Sequence, residues 1–113
     1  MFAEILKTGS SMYALAFDLE KAQLLQHYGS PHINNAYGEI HRVLVGRGFT
    51  WAQGSLYTVN TDDMAVLFLA IQDLMALPWF SQCVRDIRGF RVEQWSDFTP
   101  LVRRQSGSGS GTI

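Results

Sequence analysis

Residues 12–18 alternate bulky and small side chains: Tyr13, Leu15 and Phe17 on one face, Ala14, Ala16 and Asp18 on the other. A period of two predicts a β-strand whose bulky face meets helices and whose small face lets another surface approach closely. Leu19 to Tyr28 reads as a short helix, stopped by Gly29-Ser30-Pro31. A second helical run starts near Ile33, where Ile33, Tyr37, Ile40, Leu44 and Val45 follow a spacing close to 3.6 before Gly46 and Gly48 end it. Phe49 to Ala52 and Leu56 to Val59 are short strands flanking Gln53-Gly54-Ser55, the pattern of a hairpin. Asn60 or Thr61 is expected to cap the next helix, with Asp62 and Asp63 in its first turn and Met64, Leu67, Phe68, Ile71, Leu74 and Met75 on its buried side. Pro78 stops it. In the last strand, Arg85 to Glu93, the apolar Ile87, Phe90 and Val92 fall out of phase, which predicts a bulge near Arg88-Gly89. Ser96, Asp97 and Phe98 open a short terminal helix or turn that carries Leu101 and Val102.

This order of elements predicts an α+β, ferredoxin-like βαββαβ sandwich. Two helices on one sheet face leave the other face open. A domain of this size with an open apolar face is expected to be homodimeric, through that face or a sheet edge. The chain has 113 residues, 47% of them hydrophobic and 17% charged, with a formal net charge of -1. That balance excludes a disordered chain and allows one core. The domain is expected to span residues 12–105. Residues 106–113 alternate Ser and Gly like a flexible tail, and residues 1–11 read as an added leader, with a native strand using Phe2, Ile5 and Leu6 as the alternative. The longest apolar run, Met64 to Ile71, is too short to cross a bilayer, and the start lacks a signal-peptide pattern. The single Cys83 rules out an intrachain disulfide and fits a cytoplasmic location.

Candidate chemistry starts with Asp18. A carboxylate ending the small-residue face can take a proton from water or a 2′-hydroxyl, or hold a divalent ion such as Mg2+, although it can equally cap the following helix. A two-fold dimer would bring two copies of Asp18 together, where they share a proton or a metal. Charge is uneven along the domain. From Arg85 to Arg104, five arginines (Arg85, Arg88, Arg91, Arg103 and Arg104) face three acids, a net of +2, whereas Met12 to Gln82 carries a net of -3. Arg suits phosphate, so the last strand is either a phosphate-contacting edge or an edge kept soluble by charge, with Asp86 pairing to Arg85 or Arg88. Ser55 either donates to a phosphate oxygen or completes its turn. His27, His32 and His41 have no zinc-ligand spacing, and Trp51, Trp79 and Trp95 are expected in the core or at an interface. No Gly-rich phosphate loop supports a small-ligand regulator.

Four segments together resemble the virulence-associated protein D (VapD) family: Met12-Tyr13-Ala14-Leu15-Ala16-Phe17-Asp18, Trp51-Ala52-Gln53-Gly54-Ser55-Leu56-Tyr57, Ser81-Gln82-Cys83-Val84-Arg85-Asp86-Ile87-Arg88-Gly89-Phe90 and Trp95-Ser96-Asp97-Phe98-Thr99. The resemblance covers residues 12–105, less well between His27 and Asn35. It implies a dimeric endoribonuclease that cleaves messenger RNA as the toxin of a toxin–antitoxin pair, with a cognate antitoxin protein as partner. It further implies Asp18 as the central catalytic residue and Ser55 and Asp86 as supporting ones. Arg85, Arg88 and Arg91 are then the expected RNA-binding residues, and Asp18 the expected ion ligand across the dimer. The rival expectation is a non-catalytic dimeric protein-interaction module of the same fold.

Overall fold

Tyr13, Leu15, Phe17 and Leu19 are all buried, as the alternation requires. They form the core side of β1 (Tyr13–Leu19), the pivot of a four-stranded sheet. The computed structural model describes residues 11–108, so the expected leader and flexible tail fall largely outside the described residues. After β1 come α1 (Lys21–His27), α2 (Asn35–Gly46), β2 (Thr50–Gln53), β3 (Leu56–Val59), α3 (Ala65–Met75), α4 (Phe80–Cys83), β4 (Val84–Arg91) and α5 (Thr99–Ser108). The strands lie in the order β2-β3-β1-β4 and every neighbouring pair is antiparallel. This α+β arrangement fits the ferredoxin-like pattern, with helices filling the two crossovers.

The core lies between one sheet face and the helices. Leu15, Ile40, Leu44 and Leu74 have no exposed surface, and full burial of such a side chain stabilises the fold by about 1.5–3 kcal/mol. Two helices turn differently from expectation. In α2 the buried series is Ala36, Ile40 and Leu44, while Tyr37 and Val45 are exposed. In α3 it is Leu67, Ala70 and Leu74, while Met64, Phe68 and Met75 face outward. In each case the buried face includes an alanine, which lets the helix axis come close to its neighbours. Close packing is visible at Gly89, where an added Cβ would lie 3.2 Å from a Leu67 methyl. The start of α3 is also later than the pattern suggested. The Asp63 carboxylate accepts the Ala65 N–H at 2.9 Å, and the Thr61 hydroxyl accepts the Asp63 N–H at 3.1 Å.

Side-chain hydrogen bonds tie the layers together. Glu39 on α2 accepts from the Tyr28 hydroxyl and, at 3.4 Å, from the Trp79 indole N–H. Burial, reinforced by Glu39, pushes the Tyr28 phenol up to about 12. His41 Nδ1 lies 2.9 Å from the Tyr57 hydroxyl, joining α2 to β3.

Candidate active site

The open sheet face is set by register. Ala14 pairs with Thr58 on β3 and Phe90 on β4, Ala16 with Leu56 and Arg88, and Asp18 with Asp86. Side chains of directly paired residues share a face. Ala14, Ala16, Asp18, Leu56, Thr58, Asp86, Arg88 and Phe90 therefore share the sheet surface away from the core; Ala14 is fully buried on it, whereas Asp18, Asp86, Arg88 and Phe90 are exposed. Asp18 does not cap a helix: β1 runs on through Leu19, and α1 begins at Lys21 after a Glu20 that makes no side-chain cap.

The expected bulge at Arg88-Gly89 is not where the strand breaks. Phe90 accommodates the phase by lying exposed on the open face while Ile87 packs against the core. The register shift falls between Asp18 and Leu19: Asp18 pairs with Asp86, but Leu19 pairs with Val84, so Arg85 is the extra residue.

Four charges meet there. Asp18 and Asp86 stand directly opposite each other, a placement that costs stability when unrelieved. Each has its own cation. The Arg85 guanidinium approaches Asp18 at 3.8 Å, and Arg88 Nε donates to both Asp86 oxygens at 3.1 Å. The local pairing of Asp86 with Arg88 is thus present. Both carboxylates remain open to solvent, their side chains 60% and 47% exposed, so these ion pairs are worth about 0–1 kcal/mol.

Ser55 sits in the β2–β3 turn, where its carbonyl accepts the Phe17 N–H at 3.2 Å. That bond holds the turn across from the residue preceding Asp18. The Ser55 hydroxyl has no hydrogen bond among the described residues. Arg91 stands apart. It pairs with Tyr13, five positions along β1 from Asp18, about 17 Å at strand spacing, and lies 3.7 Å from Glu93.

Chemically, the cluster offers two solvated carboxylates that accept a proton or bind a cation, between two guanidiniums that suit a phosphodiester. Among the described residues no group of three or more His, Cys, Asp or Glu is placed to hold an ion. Asp18 and Asp86 offer two carboxylates, the number that Mg2+ commonly takes from protein while keeping waters and substrate phosphates. The donor set therefore fits such an ion. Composition and spacing missed the directness of the Asp18–Asp86 pairing, because the register of β4 on β1 depends on a long connection through α3 and α4.

The tryptophans divide. Trp79 is buried, edge-on to Tyr28 and Phe80 with ring centroids 5.1 and 5.9 Å apart. Trp51 and Trp95 are outside the core, 54% and 44% exposed.

No family model matches the chain. Curated proteins do. The Endoribonuclease VapD homolog of Neisseria gonorrhoeae is 55% identical over 92 residues, 81% of this chain and 99% of that protein. Endoribonuclease VapD of Dichelobacter nodosus is 52% identical over 92 residues, 81% of this chain and 98% of its own length. Endoribonuclease VapD of Helicobacter pylori is 45% identical over 94 residues, 81% and 99% of the two chains.

Proposed function

The chain belongs to the VapD family, and from that premise we propose that it is an endoribonuclease cleaving messenger RNA, a cytoplasmic homodimer acting as the toxin of a toxin–antitoxin pair. The observation that carries the reading is the juxtaposition of Asp18 and Asp86, flanked by Arg85 and Arg88, solvent-exposed at the strand end on the sheet face away from the core. The names of the relatives support the class of reaction. The placement of the charges supports the residues. Among the described residues no helix is long and apolar enough to cross a membrane.

In the proposed reaction Arg85 and Arg88 neutralise the scissile phosphate and Ser55 donates a hydrogen bond to a non-bridging oxygen. Asp18 takes the proton from the attacking 2′-hydroxyl or water as that oxygen bonds to phosphorus. The bond from phosphorus to the departing nucleotide oxygen then breaks, and that oxygen takes up a proton from solvent. Asp86 holds the Arg88 guanidinium in place. Arg91, paired with the core-facing Tyr13, would contact RNA only around the sheet edge. A divalent ion held by Asp18 and Asp86, or by Asp18 of both protomers, would supply Lewis-acid polarisation of the phosphoryl group.

The dimer would form over the open face or an edge, where the small, half-buried Ala16 allows close approach. A protein partner has a separate surface. Met64, Phe68 and Met75 lie four and seven residues apart on the outer side of α3, the exposed apolar pattern a cognate antitoxin would cover. Cleavage of RNA by the purified protein, beside its Asp18→Asn variant, tests the proposal. Equal rates would remove Asp18 from the chemistry, and an inert parent that does not bind RNA would leave the protein-interaction module.

A further inference from the structure

The open face continues past the charged cluster into a groove of about 970 Å³. Its floor holds Met12, Thr50 and Thr58. Thr58 pairs with both Ala14 and Thr50, so this floor is the same sheet surface that carries Asp18. Met12 lies six residues before Asp18, about 20 Å at strand spacing, a separation that a short stretch of single-stranded RNA bridges. Substrate lying on Asp18 and running along β1 would meet the groove next.

Its walls are aromatic. Trp51, Trp95 and Phe98 all line it, Trp51 from the edge strand β2, where its pairing with Tyr57 starts the side chain on the helix side. The Trp51 indole N–H donates to the Gly54 carbonyl at 2.9 Å, which fixes the ring across the hairpin turn while more than half of the residue stays exposed. The segment that carries Trp95 and Phe98 is anchored by the Asp97 carboxylate, which accepts the Thr99 N–H at 2.9 Å. A flat apolar ring held in place at a solvent-open site loses little freedom when another flat surface stacks on it. Between the walls, Gln53 and Gln94 add amides that both donate and accept, and Arg103 adds a cation. Fixed aromatic faces, amide edges and a cation together suit an unpaired nucleobase and its phosphate. The volume exceeds what one base needs.

We propose that this groove is a nucleobase subsite, in which one or two unpaired bases of the RNA substrate stack on Trp51 and Trp95. The assignment rests on the RNA-cleaving reading above, and the experiment separates the two. Steady-state cleavage of a single-stranded oligoribonucleotide is compared for the parent, Trp51→Ala, Trp95→Ala and the matching Phe variants, with oligomeric state followed by sedimentation. Base stacking on an aromatic side chain corresponds to about 5–150-fold in affinity. The expected result is a KM raised by that factor in each Ala variant, an unchanged kcat at saturating RNA, and recovery of most of the affinity with Phe. Placing one abasic ribose in the oligonucleotide, scanned along its length, should weaken the parent at one or two positions and leave the Ala variants insensitive there. Quenching of the exposed indoles on RNA binding to the parent gives a readout that needs no variant. A parent that cleaves RNA while the Trp variants match it in KM, or an absence of quenching, overturns the subsite alone. So does a fall to monomer in the Trp variants, which would make the groove a subunit interface. A parent that neither binds nor cleaves RNA overturns the RNA-cleaving reading, and the subsite with it.

Discussion

Asp18→Asn should separate catalysis from stability. The substitution keeps the side-chain shape and removes one charge from a facing pair. Side chains opposite each other on antiparallel strands sit about 5 Å apart, and two like charges at that distance repel by about 0.8 kcal/mol in a water-like dielectric. The water-like figure applies because both carboxylates are about half exposed. Against that relief stands the loss of the 3.8 Å pair with Arg85, worth about 0–1 kcal/mol for an exposed contact. The two nearly cancel, leaving a net change within about 0.5 kcal/mol, which for a domain of this size is at most about 4 °C in Tm. Catalysis has no such offset. A lost general base typically costs about 10²–10⁴-fold, so cleavage of a fluorogenic RNA at saturation should fall at least about 100-fold. Thermal unfolding by circular dichroism and the cleavage assay on the same preparation check both halves. Parent-like cleavage would refute the assignment of the base. Lost cleavage with a Tm lowered by much more than about 8 °C would refute the charge balance, since Asp18 would then be holding the fold together.

Salt dependence probes the cations: Arg85→Ala and Arg88→Ala should each flatten the plot of log affinity for single-stranded RNA against log salt by about 0.7. Arg91→Ala should give the smallest change of the three, and the reverse order, read by fluorescence anisotropy, would contradict the placement of the site. Leu74→Ala empties a fully buried position and should cost about 2–5 kcal/mol in urea unfolding, a loss absent from Phe68→Ala on the exposed side of the same helix. Acid should weaken the protein through two carboxyls held below their ordinary range, Asp73 by its hydrogen bonds from Arg47 at 2.5 and 3.1 Å and Asp97 by the Thr99 N–H. A lowered folded-state value gives stability that is complete above the unfolded value of about 3.9 and is lost as pH falls through the folded one. The urea midpoint should therefore stay level from neutral pH to about 5 and drop below about 4, less steeply in Asp73→Asn.

Local pattern carried the strands well and the helix faces less well. The alternation from Tyr13 to Asp18 placed Tyr13, Leu15 and Phe17 on the core face correctly, because a period of two leaves only two choices, although Ala14 on the other face is buried as well. A helix has more. Around α3, Leu67, Phe68, Ile71 and Leu74 are all large and apolar, so hydrophobicity alone spreads the stripe too widely. Ala70 belongs to the buried face with Leu67, whose methyl approaches Gly89, whereas the other alanine of the helix, Ala65, is exposed. Alanine is easily passed over when large apolar residues are used to draw the stripe. Trp51 and Trp95 show a similar limit. Residue type favours burial for an indole, but Trp51 lies on the edge strand β2 and Trp95 beyond the last strand, and both stay about half exposed.

The site itself turns on a single inserted residue. With regular pairing, Arg85 would stand opposite Leu19 and project toward the helices, where a lone guanidinium would lose its water without a partner. The register shift passes that position to Val84, a half-buried apolar residue, and releases Arg85 to the solvent side. Two successive residues, Arg85 and Asp86, then stand beside Asp18, which regular alternation does not allow. The bulge thus keeps the core apolar and concentrates charge at the strand end in one step. No packing requirement asks for two carboxylates facing each other at an exposed strand end. Ala14 and Ala16 on the same strand show that small neutral side chains are compatible with this face. A cross-strand acid pair that the fold does not need, each member matched by its own arginine, is the arrangement expected where a phosphodiester is held and a proton is moved.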